Sequence, residues 1–353
     1  MTSQERAQLP PDVSEAVGRL PRATLVSGPT PLEAMPRLGA RLGLDLHVKR
    51  DDLTGLGLGG NKVRKLEFYF GKAISEGADV VLITGAVQSN YVRLAAAAAA
   101  RLGLRCHVQL EERVARADPA YRTNGNVLLD DLFGATRTTF PVGEDEGAAD
   151  AEIEAHAAHY RSSGFKTFVI PLAADKPPLG AAGYVLGAEE LLRQMPNAGA
   201  VVVASGSGLT HAGLLFGLRA CGWRGPVHGI CVRRSRELQT PRIQGHCARL
   251  ATLLGVAPRV ADDDIITDDR MLAPGYGQLN DATTAAVLDA ARLEGLVLDP
   301  VYTGRVFAGA RQLASDGALP TDRPTIVIHT GGVPALFSYE AGMRTAIDAR
   351  ADA

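Results

Sequence analysis

The sequence predicts an open α/β fold built from two twisted sheets of parallel strands with helices on both faces. Three observations predict it. The chain is 353 residues long, enough for two domains or one large α/β unit. From about residue 45 onward, short β-rich runs alternate with helical patterns, the arrangement that joins parallel strands through crossover helices. Several of the β-rich runs are continuously apolar, as strands covered on both faces must be.

In chain order, the strand candidates are LHVKR (46–50), DVVLIT (79–84), CHVQL (106–110), TFVIPL (167–172), AVVVAS (200–205), VHGICV (227–232) and TIVIHT (325–330). Helical periodicity covers 62–76, where Val63, Leu66, Phe70, Ala73 and Ile74 fall on one face. Further helices are expected at 89–102, 181–195, 209–220, 236–254 and 282–294. The charged, alanine-rich stretch 111–165 reads as a helical excursion that closes one unit before a second strand series begins near 166. The expected division is therefore a larger domain of residues 1–51 and 166–353 and a smaller one of 52–165, with a ligand cleft between them.

Hydrophobic residues make up 46% of the chain and charged residues 22%, with 37 Lys+Arg against 39 Asp+Glu and a formal net charge of -2. Neither sign forms a long run, so the electrostatic footprint of a nucleic-acid partner is missing. The N-terminal stretch MTSQERAQLPPDVSEAVGRL has no signal-peptide core, and no window approaches the length of a membrane span. The expected setting is cytoplasmic. Cys106, Cys221, Cys231 and Cys247 show neither CxxC nor zinc-ligand spacing and read as free thiols.

Four glycine-rich or polar turns follow strands, at the carboxyl ends where open α/β sheets hold ligands. SGSGLTHAG (205–213) runs from strand into helix. Its choice is between a tight turn and an anion cradle made of helix-start N–H groups with hydroxyls from Ser205, Ser207 and Thr210. In TGAVQSNYVRLAAAAAARLG (84–103), Ser89 and Asn90 can cap a helix or hold a substrate carboxylate, and Ala95 to Ala100 suggest a helix packed close to a neighbour. In GLGLGGNKVRKLE (55–67), Lys62 opens a helix, where the dipole disfavours a cation; a lysine so placed is depressed in pKa or consumed in a Schiff base, unless it is simply solvated. Tyr276 in PGYG and Tyr302 in DPVYTGR can face a flat ligand or pack in the core, and Thr330 in IHTGG can point into a cleft or cap a turn. A nucleophilic lysine, one phosphate cradle, aromatic turns and a carboxylate-binding helix end are together the parts of a pyridoxal 5'-phosphate site.

These motifs resemble the pyridoxal-phosphate enzymes of the tryptophan-synthase-β fold type (fold type II), within them the D-cysteine desulfhydrase and 1-aminocyclopropane-1-carboxylate (ACC) deaminase family. The resemblance runs from TPLEAMPRLGARLG (30–43) to HTGG (329–332), with KRDDLTGLGLGGNKVRKLE, GAVQSNYVR, TNGNVLLDDLFGA, SGSGLTHAG and DPVYTGR as its most specific pieces. It implies a homodimeric enzyme acting on a small amino acid. Lys62 would be the Schiff-base lysine and Asn61 a ligand of the cofactor's ring hydroxyl. The stretch Ser205, Gly206, Ser207, Gly208, Leu209 and Thr210 would take the phosphate. Gln88, Ser89 and Asn90 would contact the substrate carboxylate, with Ser89 near the reacting carbon. Tyr302 would stack near the pyridine ring, and Tyr276 would line the substrate side.

Where ACC deaminases resemble VYEG and HLGG, this chain has Thr303 and Thr330, which points to the desulfhydrase branch. A hydroxyl near the ring nitrogen makes a weaker electron sink than a carboxylate, which suits a carbanion that at once expels a leaving group. The implied reaction is β-elimination, D-cysteine giving pyruvate, ammonia and hydrogen sulfide. Three departures bear on the substrate pocket: Tyr91 where histidine or glutamine is usual, Leu209 where glycine is usual, and YGQLN (276–280) without the usual proline. They keep a β-substituent such as the sulfonate of cysteate as an alternative. ACC deamination and a catalytically idle amino-acid sensor are the others.

Overall fold

The computed structural model describes residues 8–115, 118–143 and 145–350. Residues 1–7 of the N-terminal stretch and two positions of the charged segment after strand 106–110 lie outside the described residues. Ten strands form two sheets: β1 (Leu32–Ala34), β2 (Leu46–Lys49), β3 (Val80–Ala86), β4 (Arg105–Glu111), β5 (Thr136–Phe140), β6 (Thr167–Ile170), β7 (Ala200–Ser205), β8 (Val227–Cys231), β9 (Ile266–Asp268) and β10 (Thr325–Ile328). The larger sheet runs β1-β2-β10-β7-β8-β9 and the smaller β5-β4-β3-β6. All seven expected strands and all six expected helices are present, the helices as Lys62–Ser75, Asn90–Leu102, Ala182–Gln194, Leu209–Ala220, Arg236–Leu254 and Asp281–Glu294.

The apolar runs lie where burial on both faces demands them. Ala200 to Val203, Ile326 and Val327 are fully enclosed at the centre of the larger sheet, where Val201 pairs with Ile326 on one side and Val227 on the other. Each such side chain contributes about 1.5–3 kcal/mol of transfer free energy.

Two expectations are corrected. The strand at 167 does not open the series of the larger sheet: Thr167 pairs with Val80, so β6 completes the smaller sheet and the chain re-enters the larger one at β7. The excursion 111–165 also holds a strand, β5, paired with β4 between the short helix Asn126–Leu132 and the helix Glu146–Ser162. Strands β1, β5 and β9 had no apolar run to announce them, because each lies at a sheet edge with partly or largely exposed side chains. β1 is also antiparallel to β2, unlike the parallel remainder.

The alanine run has its close neighbour. Ala95 to Ala99 are at most 3% exposed, and a Cβ added to Gly57 would stand 2.7 Å from the Ala97 Cβ. Small residues on both sides therefore let the helix Asn90–Leu102 seat against the glycine loop that leads into Lys62. Arg93 of that helix is wholly buried, and its guanidinium donates to the carbonyls of Gly57 and, at 3.1 Å, Gly59. The helix Lys62–Ser75 is pinned from its other side. Arg64 donates to both carboxylate oxygens of Asp51 at 2.9 and 3.1 Å and to Glu190 at 2.8 and 2.9 Å, and Asp51 also accepts from Tyr184.

Candidate active site

The cleft opens along the carboxyl ends of strands from both sheets. Its walls come from Thr84 to Ala86 at the end of β3, Arg113 after β4, Ala204 at the end of β7 with Gly206 to Gly208 after it, Arg233 after β8 and Thr330 after β10. Asn61, Lys62, Ser89, Tyr91, Thr210, Tyr276 and Tyr302 complete it.

Lys62 is the first residue of its helix, and its Nζ lies 5.7 Å from the centre of the Tyr302 ring. Burial lowers its pKa to about 8, against weaker opposing influences from Lys65 and Asp299. The lysine therefore yields the neutral amine that attacks a carbonyl far more readily than an ordinary lysine does. Asn61, next to it, donates through Nδ2 to Thr210 Oγ1 at 2.9 Å, and its backbone N–H donates to Thr330 O at 3.0 Å. Lysine loop, helix start and final strand thus meet at one point.

The cradle begins at Gly208, whose φ of +100° suits glycine and whose missing side chain avoids His246, 2.8 Å from a built Cβ. A Cβ on Gly206 would lie 3.1 Å from Val232 and 3.7 Å from the Tyr302 ring. From Leu209 the first-turn N–H groups have no intrahelical acceptor, which makes this helix start an anion site. Behind the loop, the carbonyls of Gly206 and Ser207 accept from Gln239, Arg242 and His246 at 2.9–3.1 Å. Tyr302 and Tyr276 meet edge to face at 72° on the opposite side, their hydroxyls 2.7 Å apart. Burial holds the Tyr302 phenol well above its ordinary pKa, so it stays protonated.

The cleft gathers eleven of the expected residues: Asn61, Lys62, Ser89, Tyr91, Gly206, Ser207, Gly208, Thr210, Tyr276, Tyr302 and Thr330. Others have different work. Gln88 spends its amide on the carbonyls of Tyr121 and Asn124 and the N–H of Asn126, so it shapes the loop and leaves nothing for a carboxylate. Asn90 accepts from Asn126 Nδ2 at 2.9 Å, and Ser205 is held by His211 and Gln239 behind the cradle. The Leu209 side chain lies in a neighbouring recess with Tyr69 and Tyr91. Thr303 is turned away: its hydroxyl donates to Asp299 Oδ1 at 2.6 Å, so of the two threonines only Thr330 lines the cleft. Ser89 caps its helix by accepting from Val92 N at 3.3 Å and also lines the cleft.

Three basic side chains escaped the sequence reading. Lys65 is fully buried 5.4 Å from the Tyr91 ring centre, where burial and the neighbouring Lys62 hold its pKa well below the ordinary value. Its signal was the i+3 spacing from Lys62, which puts both amines on one helix face. Arg113 and Arg233 stand just beyond strand ends, where the carboxyl-edge rule could have found them.

The residues fit a flat phosphate ester bearing an aldehyde: an amine of lowered basicity, a glycine cradle at a helix start and an aromatic wall. Comparison with known proteins agrees. A family profile described as pyridoxal-phosphate dependent enzyme matches residues 23–331, and the chain belongs to that family, with pyridoxal 5'-phosphate as its cofactor. Among its relatives is a D-cysteine desulfhydrase of Salmonella typhi, 43% identical over 324 residues, covering 91% of this chain and 97% of that protein. A solved structure described as an ACC deaminase homologue is 34% identical, with a TM-score of 0.86 over 96% of this chain and all of that one. Threonine deaminase isoform 2 from Solanum lycopersicum, 17% identical with a TM-score of 0.64, shares the fold.

Proposed function

We propose that the chain is a deaminating lyase that eliminates the β-substituent of a small amino acid, D-cysteine giving pyruvate, ammonia and hydrogen sulfide. The observation that carries the reading is the Lys62 amine, softened to a pKa of about 8 and set 5.7 Å from the Tyr302 ring centre in a cleft that no carboxylate lines among the described residues. The similarity to D-cysteine desulfhydrases over 91% of the chain supports the substrate class.

Lys62 would hold the cofactor covalently, Gly206 to Thr210 would take its phosphate, Asn61 its ring hydroxyl, and Tyr302 its ring face. When bound, pyridoxal phosphate supplies the electron sink that makes the substrate's Cα–H bond acidic. Thr330, a hydroxyl rather than a carboxylate, leaves that sink weak, which suits a carbanion that expels its neighbour at once. Ser89 and the start of its helix would receive the substrate carboxylate, and the Lys62 amine would take the Cα proton. Tyr276 bounds the substrate side and, through its 2.7 Å bond, fixes the Tyr302 hydroxyl.

A smaller domain around β3 to β6 closing on the larger one is our reading of the two sheets, and a homodimer that of the exposed apolar surface. The four buried free thiols fit a reducing, cytoplasmic setting.

The test is pyruvate release from both enantiomers of cysteine, serine and chloroalanine, with 2-oxobutyrate from ACC measured alongside. We expect pyruvate from D-cysteine and no 2-oxobutyrate; the reverse would identify a ring-opening deaminase. Lys62→Ala protein is expected to lose turnover and visible imine absorbance together.

A further inference from the structure

We propose that Arg113 forms the subsite that receives the departing β-substituent as an anion. The proposal rests on the β-elimination reading above. Arg113 is clamped on one edge only: Nε and Nη2 donate to the two oxygens of Glu111 at 2.8 and 2.7 Å. Glu111 is wholly buried and also accepts from Thr84 Oγ1 at 2.9 Å, so the clamp is itself fixed. The Arg113 side chain is 6% exposed, yet its Nη1 has no protein partner among the described residues.

A purely structural arginine spends its donors on the protein. Arg305 shows the contrast, giving both terminal nitrogens to the carbonyls of Val232, Gly275 and Gln278 and leaving only Nε without a partner. Arg113 instead lines the cleft that Lys62, Tyr276 and Tyr302 also line, close enough to both tyrosines to interact with them electrostatically. A second guanidinium, Arg233, lines the same cleft and pairs with Glu146 at 2.7 Å. Preorganised cations where charge develops lower a barrier most, because nothing must reorganise as the bond breaks.

The charge balance locates that need. As Lys62 takes the Cα proton, the pair of the Cα–H bond becomes the Cα=Cβ bond, and the pair of the Cβ–S bond leaves on sulfur. The products are 2-aminoacrylate and an anion; water then converts the former to pyruvate and ammonium. A thiol substrate releases hydrosulfide and a sulfonate substrate releases sulfite, the same demand on Arg113 from two sources.

The experiment compares holoenzyme and its Arg113→Met and Arg113→Lys variants on D-cysteine, both enantiomers of cysteate, and β-chloroalanine. Chloride departs readily, so Arg113→Met should reduce turnover of the sulfur substrates about 100-fold while costing chloroalanine less than about threefold. With a thiol the loss falls on kcat, since the group is neutral until the bond breaks. With a sulfonate it falls on KM as well. Arg113→Lys should recover about tenfold, and the absorbance change on titrating D-alanine, which has no leaving group, should be the same in all three proteins. Equal losses on every substrate, or an unchanged Arg113→Met enzyme, would overturn the assignment. A wild-type enzyme that releases pyruvate from none of them would sink the elimination reading instead.

Discussion

The chemistry turns on individual side chains, Lys62 first. Desolvation at the start of a helix lowers its pKa to about 8, so the neutral amine is scarce below that pH and dominant above it. Reconstitution of the apoprotein with pyridoxal phosphate, followed by visible absorbance, should therefore quicken as pH rises through 8 and level off beyond. A rate flat from pH 6 to 9 would mean that another group limits imine formation. Asn61, Lys62 and Tyr302 were legible in the sequence because motif spacing fixes which atoms stand at a loop end. Gln88, Asn90 and Ser205 were not, since their side chains turn toward Asn126 and Gln239, partners at least 34 residues away that no local pattern names.

Elements hold those side chains in place, and two acidic side chains show how. Glu146, at the start of the helix Glu146–Ser162, pairs with Arg233, Arg234 and Arg242, and the latter two also donate to the carbonyls of Gly206 and Ser207 in the cradle. Glu146→Gln leaves three guanidiniums without their shared carboxylate. We expect a loss of about 2 kcal/mol in stability and weaker retention of cofactor during dialysis, read by thermal melting and absorbance. Asp130, on the helix Asn126–Leu132, is 1% exposed with no hydrogen-bond partner for its carboxylate, and burial outweighs Arg93 to raise its pKa to about 8. Its folded pKa lies above the unfolded one, so the folded state binds the extra proton between roughly pH 4 and 8, and its contribution to stability is lost as pH rises across that window. Asp130→Asn should raise the melting temperature at pH 8 and barely change it at pH 4, with a ceiling of about 5 kcal/mol. A shift independent of pH would contradict the account. Helix periods and apolar strands made six long helices and seven strands legible, whereas the helices within 111–165 read only as one helical excursion, and edge strands β5 and β9, incompletely buried, gave periodicity nothing to register.

At the scale of the whole molecule, the two sheets meet so that the lysine-bearing loop, the cradle and the tyrosine turns face one cleft. Beside the lysine loop lies an apolar groove, with Leu53, Leu58, Leu128 and Phe337 each at least 50% exposed. We expect light scattering to give a dimer mass and Phe337→Glu to shift it to a monomer; a monomeric wild type would leave this surface without its second copy. The division into sheets was legible from the order of strands, but the membership of β6 was not, because its partner Val80 is chosen by three-dimensional pairing rather than by sequence neighbours. The most direct measurement is borohydride reduction of the holoenzyme followed by peptide mass mapping. The pyridoxyl mass should fall on Lys62 alone; finding it on Lys65, which shares the same helix face, or on any other lysine would contradict the account.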